Sequence, residues 1–373
     1  MTGFLGERSL RSVTWQAFER IVARYLMAAG WQSVRLVGGS GDGGADVLAT
    51  RGTRKWLVQV KRHRRPIGRQ AFRETVNAGA LYGANVLVLA STSGFTVDLH
   101  EHGDLQAADG INVQLWDIPT LVRFGERLDA GALVQQFPER YELRDYQEQA
   151  CQAVVGEWID NHSGSALVVF ATGLGKTFVA ATAIRRIANQ HAGLKVLVLA
   201  HTNALLRQLE KAFWPFLRKE EGTLIAYGEE EFSWDLLERT PFVFASRDTL
   251  ASRIVAGQRL HRFDLVLVDE CHHLGAQSYD AIMDELGVGD ADGPFLMGLT
   301  ATDWRPDGCS LEALFGDPVA KMDLVSGLKS GFLTNVDYRM FTDNIDWEAL
   351  RRARGGNYAP KRINRTLFIQ EWD

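Results

Sequence analysis

The sequence predicts an α/β protein of two domains. Its 373 residues are long for one domain and comfortable for two. Short apolar strands alternate with helical stretches along the whole chain, which implies sheets covered by helices. Periodicity lapses once, in DAGALVQQFPERYEL at 129–143, which reads as a linker between an N-terminal mixed unit and a C-terminal unit with a parallel sheet.

The elements follow in order. Between Val13 and Gly30, residues Trp15, Phe18, Val22, Tyr25 and Leu26 fall at helical spacing, so an amphipathic helix opens the first unit. The glycine-rich VGGSGDGGADVLAT turns into a strand. In the next strand, WLVQVK, Trp56, Val58 and Val60 face one way while Leu57, Gln59 and Lys61 face the other, a hairpin with one chemical face. A helix from about Arg69 to Tyr82, a buried strand ANVLVLAST, a short helical stretch near 96–107, a strand INVQLW and a helix from Pro119 complete the unit near residue 130. From about residue 140 the run is ALVVF, a helix after Lys176, KVLVLA, a helix from Leu205 through Phe216, TPFVFAS, FDLVLVDE and PFLMGLT. Such strands between helices imply a parallel sheet buried on both faces.

Composition narrows the function classes. Hydrophobic residues make up 46% and charged residues 23%, ordinary for a globular protein. Cys151, Cys271 and Cys309 lie far apart without CxxC spacing, so neither a disulfide framework nor a cysteine-based zinc site is indicated, and a cytoplasmic setting is expected. No apolar run reaches the roughly 18 residues of a membrane span, and MTGFLGERSLRS lacks a signal-peptide core. Net charge is −5, so affinity for nucleic acid must come from a local patch. One exists: positions 51, 54, 55, 61, 62, 64, 65, 69 and 73 are all Lys or Arg, with no acid between Arg51 and Arg73.

ATGLGKT at 171–177 follows a strand and precedes a helix, the context that a phosphate-binding loop requires. Thr172, Gly173 and Gly175 bring backbone N–H groups toward phosphates, Lys176 reaches the terminal phosphates, and Thr177 offers a hydroxyl to magnesium. FDLVLVDECHH delivers Asp269 and Glu270 at the carboxyl end of a strand, where ligands sit in parallel sheets. Asp269 is expected to hold magnesium and Glu270 to activate the attacking water. His272 and His273 lack a third ligand nearby and are not expected to bind metal.

Together these segments resemble superfamily 2 helicases, particularly the restriction-enzyme motor branch, over roughly residues 140–340. The general loop pattern has glycine where Phe170 stands, but ATGxGKT without it is common in that superfamily. LRDYQ at 143–147 resembles the adenine-contacting segment, with Gln147 as reader. HTNALLRQ at 201–208 resembles the motif on the DNA-strand side, and TAT at 300–302 the one linking hydrolysis to DNA, although Asp303 stands where the family usually has proline. The resemblance implies a RecA-like domain over 143–340, and a 341–373 extension leading to a second such domain that is absent. A chain so interrupted is expected to bind ATP better than it hydrolyses it.

GDGGADVLAT with WLVQVKR, together with an acid on the first helix, resembles the Mrr-like branch of PD-(D/E)xK nucleases over about residues 12–125. The resemblance implies a restriction-endonuclease-like domain over 1–130, joined to the motor by 131–142. Glu19 and Asp46 would supply oxygen ligands to Mg²⁺ or Mn²⁺. Lys61 would position the nucleophile and offset phosphate charge, while Gln59 would orient water or a ligand. The expected function is ATP-dependent restriction of foreign duplex DNA, with restriction-system subunits as possible partners. Two other readings stay open: a DNA-anchored remodeller or repair helicase whose first domain binds without cutting, and a nuclease whose ATPase half is inert.

Overall fold

The computed structural model describes residues 3–37, 44–99, 112–228, 232–260, 262–274, 277–302 and 311–334. The chain divides into Met1–Phe332 and Leu333–Asp373; everything below concerns the first unit. The expected helical stretch at 96–107, Asp303, Cys309 and the 341–373 extension lie wholly or largely outside the described residues.

The N-terminal domain is a five-stranded mixed sheet in the order β1-β2-β3-β4-β5, formed by Gln32–Leu36, Val47–Arg51, Arg54–Lys61, Val86–Ser91 and Asn112–Trp116. β1, β2 and β3 pair antiparallel in turn, whereas β3, β4 and β5 pair in parallel. Helix α1 spans Glu7–Ser12, α2 Trp15–Ala28, α3 Arg69–Tyr82 and α4 Ile118–Arg127. Thr14 caps α2 by accepting from Ala17 N, and Gly83 closes α3 in the left-handed region.

The hairpin expected to show one chemical face is instead buried on both. Residues Trp56 to Val60 are all buried because β3 is a central strand. Trp56 packs edge-on against Trp31, which follows α2, while Leu57 clusters with Ala78 of α3. Period-2 alternation therefore separates two covered faces here, not a wet one from a dry one.

The C-terminal domain, expected to be the motor, is a seven-stranded, all-parallel sheet in the order β12-β6-β11-β10-β7-β9-β8. Its strands are Ser165–Phe170 (β6), Val196–Ala200 (β7), Thr223–Ala226 (β8), Phe242–Ser246 (β9), Leu265–Asp269 (β10), Phe295–Thr300 (β11) and Ala320–Met322 (β12). Between the domains, the stretch read as a linker holds two short helical turns, α5 at Leu133–Gln136 and a 3-10 turn at Pro138–Arg140. The helices that matter for the motor's sites are α6 (Asp145–Asp160), α7 (Lys176–Gln190) and α8 (Asn203–Phe213).

The two domains share a polar, largely buried seam. On α2, Arg20 lies 2.9 Å from Glu210 of α8, both side chains nearly inaccessible. Arg24 donates to the carbonyls of Glu221 (2.8 Å) and Arg218 (2.9 Å) and stacks over Phe4. Burial pushes the Arg24 guanidinium pKa down to about 10. Lys211 Nζ donates to the Val34 carbonyl and Lys219 Nζ to that of Leu128. Helix α2 of one domain is thus fixed to α8, which carries most of HTNALLRQ, in the other.

Candidate nuclease and nucleotide centres

Asp46 enters just ahead of β2 and is fastened to β3 at two points. Its backbone N–H donates to the Val58 carbonyl at 3.1 Å, and its carboxylate Oδ2 accepts from Val60 N–H at 2.6 Å. A backbone donor to an anion is among the stronger hydrogen bonds, so the carboxylate is held across Gln59 from either side. Gln59 is 1% exposed; its Oε1 accepts from Thr75 Oγ1 of α3 at 2.5 Å. Gly44 stands at the other end of that amide. Gly44 has φ +90°, and a Cβ there would stand 2.6 Å from Gln59 Nε2. Only glycine offers both that conformation and that space.

Lys61, two residues on, shares the face of Gln59 and lies 3.1 Å from Glu74 Oε2 on α3. The structure thus assembles Asp46, Gln59 and Lys61 at one end of β3. Glu19 lies half-buried on α2, on the arc that carries the buried Val22, Ala23 and Leu26. Beside this centre, Arg62, Arg64, Arg65, Arg69 and Arg73 are exposed, as are Arg51 and Arg54 at the opposite, hairpin end of β3. Arg51 lies flat on Trp31, and Arg69 pairs with Asp98.

Sequence reasoning missed Glu74. It was one acid among the polar positions of an amphipathic helix, and its meeting with Lys61, thirteen residues earlier, arises only when α3 folds back on β3.

In the motor domain, the 171–177 loop joins β6 to α7. Gly173 and Gly175 take φ +89° and +84°, and Gly175 is the N-cap of α7, so backbone N–H groups gather at a helix N-terminus. Lys176 Nζ donates to the Phe170 carbonyl at 3.0 Å. The 143–147 segment braces this loop from behind: the Leu174 carbonyl accepts from Tyr146 OH and from Gln147 Nε2, while Gln147 Oε1 accepts from Arg144 N–H. Gln147 therefore ties the loop to the start of α6 as well as standing where an adenine reader is expected.

Asp269 ends β10 and is 8% exposed. Burial, then the neighbouring Glu270, pushes its carboxyl above the usual carboxylate range, with Lys176 opposing. Glu270 itself sits at φ 51°, ψ 50°, a left-handed conformation that costs a non-glycine residue about 1–2 kcal/mol. His272 Nδ1 lies 3.3 Å from Glu270 Oε2 and 3.1 Å from Thr300 Oγ1, and Thr300 Oγ1 donates to the Thr302 carbonyl. A continuous polar chain therefore joins DECH to TAT across the neighbouring strands β10 and β11. His272 serves this chain, and among the described residues no group of three or more His, Cys, Asp or Glu could hold a metal ion.

A mixed sheet carrying Asp46, Gln59 and Lys61, followed by a parallel sheet with a phosphate-binding loop and a DECH box, defines a two-domain chain that couples a nuclease-type site to a helicase-type nucleotide site. Residues 10–124 match the restriction endonuclease family and residues 140–305 the type III restriction enzyme res subunit family. The chain thus carries a restriction endonuclease domain and a res-subunit helicase domain. It is 29% identical over 243 residues to the type I restriction enzyme EcoAI endonuclease subunit of Escherichia coli, covering 61% of this chain and 29% of that protein. It is 31% identical over 172 residues to the DNA 3'-5' translocase XPB2 of Sulfurisphaera tokodaii, covering 46% of this chain and 33% of that one. Among solved structures, the ATP-dependent type ISP restriction-modification enzyme LlaBIII bound to DNA aligns with 86% of this chain and 25% of its own, at 17% identity and a TM-score of 0.38. The chain spans about a third or less of the length of these curated relatives. No helix among the described residues is long and apolar enough to cross a membrane.

Proposed function

We propose that the chain is the nuclease and ATP-binding part of a restriction-type DNA enzyme, in which an ATP-driven motor brings a magnesium-dependent endonuclease to duplex DNA. The observation that carries the reading is the convergence of Asp46, Gln59 and Lys61 on β3, beside the exposed cationic segment, within the same compact unit as the phosphate-binding loop.

Magnesium fits both centres by donor chemistry. Carboxylate and amide oxygens at Asp46 and Gln59 suit a hard divalent cation, and the strain of burying Asp269 against Glu270 is of the kind a cation relieves. With few protein ligands on offer, water and phosphate oxygens would fill the remaining positions. Bound there, the ion supplies charge neutralisation at the scissile or terminal phosphate and polarises water. Lys61 adds a fixed cation for the phosphate, Gln59 holds a polar group in place through Thr75, and the arginines of 51–73 hold the backbone of the duplex. At the motor centre Lys176 faces the terminal phosphates, Thr177 and Asp269 hold the ion, Gln147 reads adenine, and Glu270 orients the water. Glu19 remains a candidate second acid.

The test is cleavage of supercoiled plasmid with Mg²⁺ or Mn²⁺, with and without ATP, beside Asp46→Ala and Lys176→Ala variants. Cleavage is expected to vanish in Asp46→Ala while ATP binding persists; unimpaired cleavage there would remove the site assignment. Salt-sensitive DNA binding with no nicking in any lane would select the DNA-anchored ATPase instead.

Gly44→Ala is expected to behave like Asp46→Ala. The added methyl must displace the Gln59 amide and adopt a positive φ, at a combined cost of about 2–3 kcal/mol, and cleavage should fall by roughly 30-fold or more. ATP binding, measured in parallel, should stay at the unmodified level. An active Gly44→Ala would mean that Gln59 need not be held where it is.

A further inference from the structure

Glu74 is the acid at the nuclease centre that no motif marks. It sits on the first half of α3, whose Thr75 holds the Gln59 amide. One carboxylate oxygen lies 3.1 Å from Lys61 Nζ, and the other accepts from Gln70 Nε2 at 3.3 Å. Lys61, then burial working against it, then Gln70 and Gln59, set the carboxyl below the usual carboxylate range. Both chemistry-bearing side chains of the QxK strand are therefore held by neighbouring residues of α3, Gln59 by Thr75 and Lys61 by Glu74.

A partly exposed Lys–Glu pair usually does little. This one differs in its surroundings. Lys61 is only a quarter exposed, it stands two residues from a glutamine with almost no access to solvent, and Asp46 is bonded to the backbone between them. Lysine is a flexible point charge on a four-carbon stem, so without a fixed anion it samples many positions. A catalytic cation is useful only where its geometry is set before the substrate arrives.

We propose that Glu74 is a positioning residue of the nuclease centre, whose carboxylate fixes the Lys61 ammonium beside Gln59 and Asp46 at the place where a scissile phosphate would lie. This inference rests on the nuclease reading given above. It makes the constellation Asp46, Gln59, Lys61 and Glu74, drawn from the residue ahead of β2, from β3 and from α3.

The test uses the full chain with Glu74→Gln and Glu74→Asp, and Asp46→Ala as the inactive reference. Removing the anion leaves the ammonium free to sample other positions. Glu74→Gln should therefore cleave plasmid about tenfold more slowly, with the loss in kcat and not in KM. Glu74→Asp should recover part of the rate, while DNA affinity and ATP binding stay unchanged. A wild-type kcat in Glu74→Gln, with Asp46→Ala dead, would overturn the proposal and leave the nuclease reading intact. If wild type itself does not cleave, the nuclease reading fails separately. Nitrogen-15 relaxation of the Lys61 ammonium then decides: a more mobile ammonium in Glu74→Gln supports the fixed pair, and equal mobility overturns it.

Discussion

Glu210→Ala is expected to lower the unfolding free energy by about 3–5 kcal/mol, the cost of leaving a buried charge without its partner. Arg20 and Glu210 approach to 2.9 Å with side-chain exposures of 6% and 3%. The approach is an ion contact and not an aligned hydrogen bond, so most of the cost comes from the loss of a buried counter-charge and little from a lost bond. The Thr223 hydroxyl, which donates to Glu210 Oε1 at 2.5 Å, loses its acceptor too. The double variant Arg20→Met/Glu210→Leu removes both charges and should lie much closer to wild type, because apolar replacement of a buried pair is often neutral. Urea midpoints of the three chains decide it, and a Glu210→Ala loss below about 1 kcal/mol would mean that water reaches Arg20 in solution. The pair also bears on function. Glu19 is the immediate neighbour of Arg20, and α8 carries the HTNALLRQ segment expected on the DNA side, so movement of that segment has a short route to the first nuclease helix.

What could be read in advance follows physical lines. Strands β4, β6, β7, β9, β10 and β11 are continuous apolar runs, since each is covered on both faces, and the sequence states them directly. Strand β1 was missed because its burial is confined to Val34, and Ser33 takes φ 51° where the β1–β2 register shifts. Strands β8 and β12 are short edges of four and three residues, below the length at which a period shows. Asp46, Gln59 and Lys61 were legible because they lie within one or two residues of the hairpin that joins them. Glu74 was not, since its relation to Lys61 exists only in tertiary structure. Nor was the seam, because Arg20 and Arg24 occupy what reads as the polar side of α2, and nothing local reveals that a second domain covers it.

Gly175→Ala is expected to weaken ATP binding by roughly 30- to 150-fold, from two separate costs. The residue has φ +84°, and its Cβ would stand 2.5 Å from Gln147 Nε2. Left-handed backbone costs an alanine about 1–2 kcal/mol, and displacing Gln147 breaks its bond to the Leu174 carbonyl for about 1 kcal/mol more. Gln147 cannot simply swing aside, because its other end caps the start of α6 through Arg144 N–H. The two costs can be told apart. Gly193→Ala, at φ +80° with nothing within 4 Å of the new Cβ, carries the backbone cost alone and lies away from the loop, so nucleotide affinity should not change. Gln147→Ala keeps the glycine but loses the amide, so its loss of affinity measures the brace and the adenine contact without the backbone strain. Fluorescent-nucleotide titration of the four chains gives the comparison. An affinity for Gly175→Ala equal to wild type would show that the loop rearranges before it meets phosphate, and would take from Gln147 its place as the brace that sets the loop's shape.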